Sequence, residues 1–129
     1  MNRYRNSEEV ERDFIESLGE PLGKLFHALW QEFALLNTKW EEYVELYGTK
    51  PSRIELLNNA APRFFRIVQD VLWDDLILHI ARLTDPPQSK GKDNLTIRRL
   101  SHRIEDEDFK KALDALIKIA IRKSDFCRD

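Results

Sequence analysis

Apolar residues return along this chain at intervals of three and four, and no stretch alternates apolar with polar like a half-buried strand. The pattern predicts helices separated by breakers. Glycine and proline cluster at Gly19-Glu20-Pro21, at Gly48 to Ser52, and in the polar stretch from Asp85 to Asn94. The first helix is predicted from Ser7 to Leu18. Asn6 and Glu9 have the spacing of a capping box, Val10, Phe14, Ile15 and Leu18 share a face, and Gly19 suits the exit. The second begins near Pro21 and reaches Tyr47, about 40 Å at 1.5 Å per residue. Its stripe carries Leu22, Leu25, Phe26, Leu29, Phe33, Leu36, Trp40, Tyr43, Val44 and Tyr47. Ser52 and Glu55 have capping-box spacing at the head of a short third helix, and Pro62 restarts or kinks the chain. From Pro62 to Leu83 the sequence is apolar nearly all round, which predicts a central buried helix. A short helix is expected over Thr96 to Arg103. A last one is expected from Asp106 into the 120s, with Phe109, Ala112, Leu113, Leu116, Ile117 and Ala120 inward. The sum is an all-α, up-and-down bundle of about five to six helices, two or three of them long, with no sheet.

Composition narrows the class. A chain of 129 residues with 42% hydrophobic and 34% charged residues can bury a real core as a single domain spanning 1–129. With 21 basic against 23 acidic residues, the net charge of −2 gives no strong pull toward nucleic acid. Cys127 is the single cysteine, which excludes an internal disulfide framework and a cysteine-based zinc site within the chain. No apolar run approaches the ~20 residues of a membrane span, and the opening Met1 to Asn6 lacks the apolar stretch of a secretory signal. A cytoplasmic protein without a cofactor or a membrane partner is the expectation.

The most informative polar group lies on the fourth helix. Phe64, Val68, Val71 and Leu72 mark one face, and Asp75, His79 and Arg82 continue it within about 60° at 100° per residue. An apolar stripe thus turns ionisable toward its C-terminal end. Three readings are open: a polar site facing a cleft or a dimer interface, an internal hydrogen-bond network, or a helix end emerging into solvent. Asp70 and Asp74 fall near Arg63 and Arg66, on what reads as the solvated face. Arg98, Arg99, His102 and Arg103 form a candidate patch for RNA or other phosphates, or else a solvated basic face. Glu41, Glu42 and Glu45 open the metal-binding pattern of all-α nucleoside-triphosphate pyrophosphatases. The Glu-x-x-Asp that should follow is missing, so no metal site is expected.

One stretch has a familiar look. Ser52-Arg53-Ile54, Leu57-Asn58 and Pro62-Arg63-Phe64-Phe65 precede Asp74-Asp75-Leu76-Ile77-Leu78-His79-Ile80-Ala81-Arg82-Leu83-Thr84-Asp85, and Asn94-Leu95-Thr96-Ile97-Arg98-Arg99-Leu100 follows the polar loop. This resembles HEPN-like helical proteins of the abortive-infection AbiU type. The resemblance implies a phage-defence or toxin–antitoxin role, a homodimer, an RNA ligand, an antitoxin-type protein partner and metal-independent RNA cleavage. The last depends on an Arg and a following His separated by four to six intervening residues. Arg98 and His102 have only three residues between them, and His27 and His79 have no Arg at that distance upstream. Catalysis is therefore expected only if that motif follows Asp129. The alternative is a non-catalytic helical dimerisation module. The broad aromatic stripe of the second helix and the apolar fourth helix point to a dimer through the long helices.

Overall fold

The computed structural model describes residues 4–128. Five α-helices follow in order: α1 (Ser7–Leu18), α2 (Glu20–Tyr47), α3 (Pro51–Ala60), α4 (Pro62–Leu83) and α5 (Glu107–Lys123). Three short 3₁₀ turns cover Ile97–Arg99, Ser101–Arg103 and Asp125–Cys127. Asn6 caps α1 in a full capping box with Glu9, and Asp106 caps α5 by accepting from the Phe109 N–H at 2.7 Å. Gly19, at φ +84°, ends α1 and admits α2 directly, a backbone conformation that only glycine takes at little cost. The resulting α1–α2 hairpin packs tightly. The Phe14 and Phe26 rings meet edge to face at 4.9 Å.

Against α2 lies α4, running antiparallel. Leu25, Leu29 and Leu83 form the buried centre, with Leu36, Ile97 and Leu100 packed on it. Farther along, Tyr43 meets Trp73 at 5.5 Å, and the Tyr47 hydroxyl donates to the Phe65 carbonyl at 2.8 Å. Helix α3 fills the corner between α2 and α4. The 3₁₀ turn at Asp125–Cys127 docks on the end of α4, so α5 is tied in chiefly by the turns on either side of it.

Five sequence expectations need correction. The capping box at Ser52 and Glu55 does not form. Pro51 is the first residue of α3 and Lys50 its cap, without a side-chain hydrogen bond, because proline preorganises the first turn one residue earlier. The region from Thr96 to Arg103 is two 3₁₀ turns, not an α-helix. Fully buried Thr96 places its hydroxyl 2.7 and 3.0 Å from the Asp85 and Leu83 carbonyls, donating to one or the other, and accepts from the Arg98 N–H. That pins the chain start and favours i→i+3 closure. The polar loop holds a two-residue ribbon, β1 (Gln88–Ser89) against β2 (Lys92–Asp93). Lys90 and Gly91, both at positive φ, close it as a type I′ turn closes a hairpin.

The fourth correction concerns α4, which is not buried all round. Its inward row is Phe65, Leu72, Leu76, His79 and Leu83, while Phe64, Ile67 and Val71 are each about 60% exposed and Leu78 is half exposed. The fifth concerns α5. Leu113 and Ile117 turn inward, but Phe109 and Leu116 stand in solvent, 55% and 64% exposed.

Candidate functional site

Antiparallel packing of α2 on α4 brings two sets of ionisable side chains into register. Lys39 on α2 reaches Asp75 on α4 at 2.7 Å and approaches His79 Nδ1 at 3.4 Å. One turn lower on α4, His79 Nε2 lies 2.8 Å from a Glu32 carboxylate oxygen, but out of line for a hydrogen bond. Nδ1 thus faces the Lys39 ammonium, and Nε2 is buried beside Glu32 without a hydrogen-bond partner among the described residues. His79 is 94% buried, since only 6% of its surface is exposed, whereas Asp75 and Glu32 keep roughly half of theirs.

These residues line an open cleft of about 600 Å³ together with Leu35, Arg82, Leu83, Asp85, Asn94 and Leu95. Arg82 is exposed, and its side chain makes neither an ion pair nor a hydrogen bond among the described residues. The three residues predicted from sequence thus meet at one cleft, yet they do not bond to one another. Asp75 and His79 bond across to α2, and Arg82 is left as the free cation. Asp85 and Asn94, from the ends of the ribbon loop, close the far wall.

Sequence reasoning missed Glu32 and Lys39. Their signal was present: two charges seven residues apart beside the α2 stripe, about two helical turns, facing an ionisable pair one turn apart on α4. Reading them needed the pairing of α2 with α4, which no single helix reveals.

The second candidate cluster is split. Arg99, His102 and Arg103 line a shallower cleft with Pro86, Pro87, Gln88 and Asp93. Arg99 is engaged there, donating to the Asn94 carbonyl at 3.2 Å with Asp93 at 3.6 Å. Arg98 lies apart, half-buried, with its Nε lacking a partner among the described residues. Two of the three glutamates of the pyrophosphatase pattern are otherwise occupied. Glu45 is held by Arg53, whose hydrogen bond and charge pull its carboxyl below the ordinary range, and Glu41 accepts from Asn37. Among the described residues no three histidine, cysteine, aspartate or glutamate side chains cluster as metal ligands. Burial pushes the Cys127 thiol up, away from the reactive thiolate. No helix among the described residues is long and apolar enough to cross a membrane.

No curated protein and no solved structure matches the chain. The sequence profile of a HEPN family described as AbiU2 matches residues 19–128, which takes in α2 through the last 3₁₀ turn and both clefts. That span covers most of the chain and every residue of the Glu32–Lys39–Asp75–His79 cluster. The all-α architecture agrees with it, and the protein is an abortive-infection-type helical domain belonging to the AbiU2 HEPN family.

Proposed function

We propose that this domain works in phage defence as a homodimer that holds RNA at the polar end of its two-fold seam. The carrying observation is the outward row of α4. Phe64, Ile67, Val71 and Leu78 are spaced three, four and seven apart, the spacing of a helix–helix seam, and are exposed by 49% to 62%. The chain exposes 9866 Å². A compact monomer of its mass exposes about 7,100 Å², so roughly 2,700 Å² is surplus. A standard interface takes about 800 Å² from each partner, well within that surplus.

An antiparallel two-fold contact centred on Val71 sets Phe64 against Leu78 of the second copy and Val71 against itself. The same register brings Asp74 close to Arg66 of the second copy, so the flanking charges are self-complementary. Asp75 and Arg82 lie on the continuation of that row, and the seam runs into the cleft. There the Arg82 guanidinium offers a fork that fits a phosphate, and Asp85 and Asn94 offer acceptors to a ribose hydroxyl or a base edge. Arg99, His102 and Arg103 extend the basic surface on the other side of the ribbon loop. Nothing in this reading requires the 129 residues to cleave RNA, since the Arg and His of the family signature are not placed at the needed spacing here.

Light scattering at micromolar concentration tests the dimer. A mass twice 15.3 kDa is expected, falling to the monomer in Val71→Asp. Fluorescence anisotropy with a single-stranded RNA oligonucleotide tests the ligand. Arg82→Ala should weaken binding about tenfold without changing the mass, the scale of one lost charge-assisted contact. A dimer with no RNA affinity is the result expected of a non-catalytic dimerisation module, and a persistent monomer overturns both readings.

A further inference from the structure

The α1–α2 hairpin joins a second set of polar side chains, none of which lines either cleft. Ser7 and Glu11 are one turn apart on α1, and His27 and Gln31 are one turn apart on α2. Packing of the hairpin sets the two pairs face to face. His27 Nε2 lies 3.3 Å from the Ser7 hydroxyl, and His27 Nδ1 lies 4.0 Å from a Glu11 carboxylate oxygen. The ring thus has a hydroxyl on one side and a carboxylate on the other. Gln31 donates to the same Ser7 oxygen at 2.6 Å, which leaves the hydroxyl proton free to turn toward His27.

Burial separates the roles. His27 is only 8% exposed, with the Phe14 ring 6.3 Å away, whereas Ser7 stands in solvent. An open hydroxyl, a buried imidazole behind it and a carboxylate behind that follow the order of nucleophile, base and orienting group. The Gln31–Ser7 bond alone supplies a polar link between the helices, so His27 and Glu11 are not needed for that link. Ser7 also opens α1. The Asn6 side chain and carbonyl accept the N–H groups of Glu9 and Val10, and those of Ser7 and Glu8 have no partner within the helix. They are donors on the hydroxyl-bearing residue and its neighbour, at the positive end of the helix, where an oxyanion is stabilised.

We propose that Ser7, His27 and Glu11 form an acyl-transfer site that hydrolyses uncharged or cationic carboxylic esters. Ser7 Oγ attacks the ester carbonyl carbon while His27 Nε2 takes its proton, and the oxyanion rests against the Ser7 and Glu8 N–H groups. The bond from carbon to the alcohol oxygen then breaks, the alcohol leaves with the proton from His27, and the acyl group stays on Ser7. Water attacks that acyl carbon as His27 takes a proton from it. The bond to Ser7 Oγ breaks, Ser7 regains the proton, and the carboxylic acid leaves. Glu11 touches no substrate. It is a positioning residue, holding the ring with Nδ1–H turned to its carboxylate. Glu8, Glu9 and Glu11 place acidic charge beside Ser7, which disfavours anionic substrates. Half-exposed Trp30 packs on the same Phe14 at 6.3 Å and offers an apolar rest for the acyl chain. The site stands independently of the RNA reading.

The full chain incubated with p-nitrophenyl acetate tests it. A burst of p-nitrophenolate followed by slower turnover is expected, with an acetyl group on the Ser7 peptide by mass spectrometry. Ser7→Ala, at an exposed position, should abolish the burst while the far-ultraviolet spectrum stays unchanged. His27→Gln keeps an amide beside Ser7 but cannot take its proton, and should slow the burst at least about tenfold. Glu11→Gln should lower the acylation rate constant and leave the half-saturating ester concentration as it was, a split that a loosened hairpin would not give. Mono-p-nitrophenyl glutarate, whose acyl chain carries a carboxylate, should react more slowly than the acetate. Hydrolysis unchanged in Ser7→Ala, acetyl groups found only on lysines, or no reaction above the rate in buffer overturns the proposal. Faster reaction of the glutarate overturns the substrate class. If His27→Gln unfolds the hairpin, Ser7→Ala alone decides.

Discussion

Arg128 clasps Thr84 across forty-four residues of sequence: its guanidinium donates to the Thr84 carbonyl at 2.7 Å and to the Thr84 hydroxyl at 2.6 Å. Thr84 ends α4, and its own hydroxyl donates back to the Ile80 or Ala81 carbonyl while Ser124 approaches it at 3.3 Å. The free carbonyl at the end of a long helix thus gains a charged donor, which also suits the negative end of the helix dipole. Because Thr84 adjoins Leu83 and Asp85, both in the polar cleft, the clasp holds the C-terminal turn beside that cleft.

Arg128→Ala should therefore release the last 3₁₀ turn. The expected loss is about 1–3 kcal/mol, the scale of hydrogen bonds made by a charged group. Urea denaturation measures the loss. Hydrogen exchange should show the amides of Ser124 and Cys127 losing protection before those of α2. Unchanged protection there would mean that the clasp holds nothing.

A second prediction concerns Gly23. It sits inside α2, where glycine is ordinarily a cost, and a β-carbon there would lie 2.6 Å from Ile15 Cα and 2.7 Å from Ile15 N. Both are backbone atoms of α1, so nothing flexible can move aside. Gly23→Ala should force the α1–α2 hairpin apart and cost about 3 kcal/mol, at the upper end of overpacking effects. A thermal melt indistinguishable from wild type would show that the hairpin tolerates the shift.

Gly23 also shows where sequence reading stops. Gly19 and Gly48 announce helix ends by position, and the helix boundaries at Leu18, Tyr47, Pro62 and Leu83 followed from such breakers and from the three-four periodicity. Gly23 carries its reason in another helix, and nothing local distinguishes it from punctuation. The same limit governs α4 and α5. Periodicity reveals that Phe64, Val71, Phe109 and Leu116 lie on apolar faces, but an apolar face left open reads like one turned to the core. On the candidate site, the α4 half was legible because Asp75, His79 and Arg82 interrupt an apolar run. The α2 half was not, because Glu32 and Lys39 sit where a surface helix carries charges anyway.

Tyr47 gives a pH signature. Burial raises its phenol above the usual value of 10.0, with the nearby Tyr43 adding to the effect, and the protonated hydroxyl donates to the Phe65 carbonyl. A raised folded-state value means the folded chain binds the proton more tightly than the unfolded one. The contribution is thus fully present below pH 10 and is lost as pH rises through the folded value. Tyr47→Phe should cost about 1 kcal/mol at neutral pH, and the difference from wild type should shrink as pH climbs above 10. A gap that stays constant into that range would show that the hydroxyl does not link α2 to α4.

The last prediction compares two polar side chains on α4. Asp70 and His79 each have a basic neighbour, but the settings differ. Asp70 pairs with Arg66 at 3.3 Å in the i,i+4 arrangement, and both side chains are more than 60% exposed. Such a pair is worth at most a few tenths of a kcal/mol, so Asp70→Ala should shift stability by no more than about 0.5 kcal/mol. His79 is buried and lies between Lys39 and Glu32. His79→Leu keeps much of the apolar contact but removes the acceptor for Lys39 and leaves the Glu32 carboxylate facing hydrocarbon. The remaining Asp75 still satisfies Lys39, and half-exposed Glu32 can turn to water, which limits the damage to about 1–2 kcal/mol. Urea midpoints of the two variants, measured at the same pH and salt, decide the matter. A His79→Leu chain as stable as Asp70→Ala would show that the cluster spanning α2 and α4 contributes nothing to holding them together. The cleft would then be kept for a ligand and not for the fold.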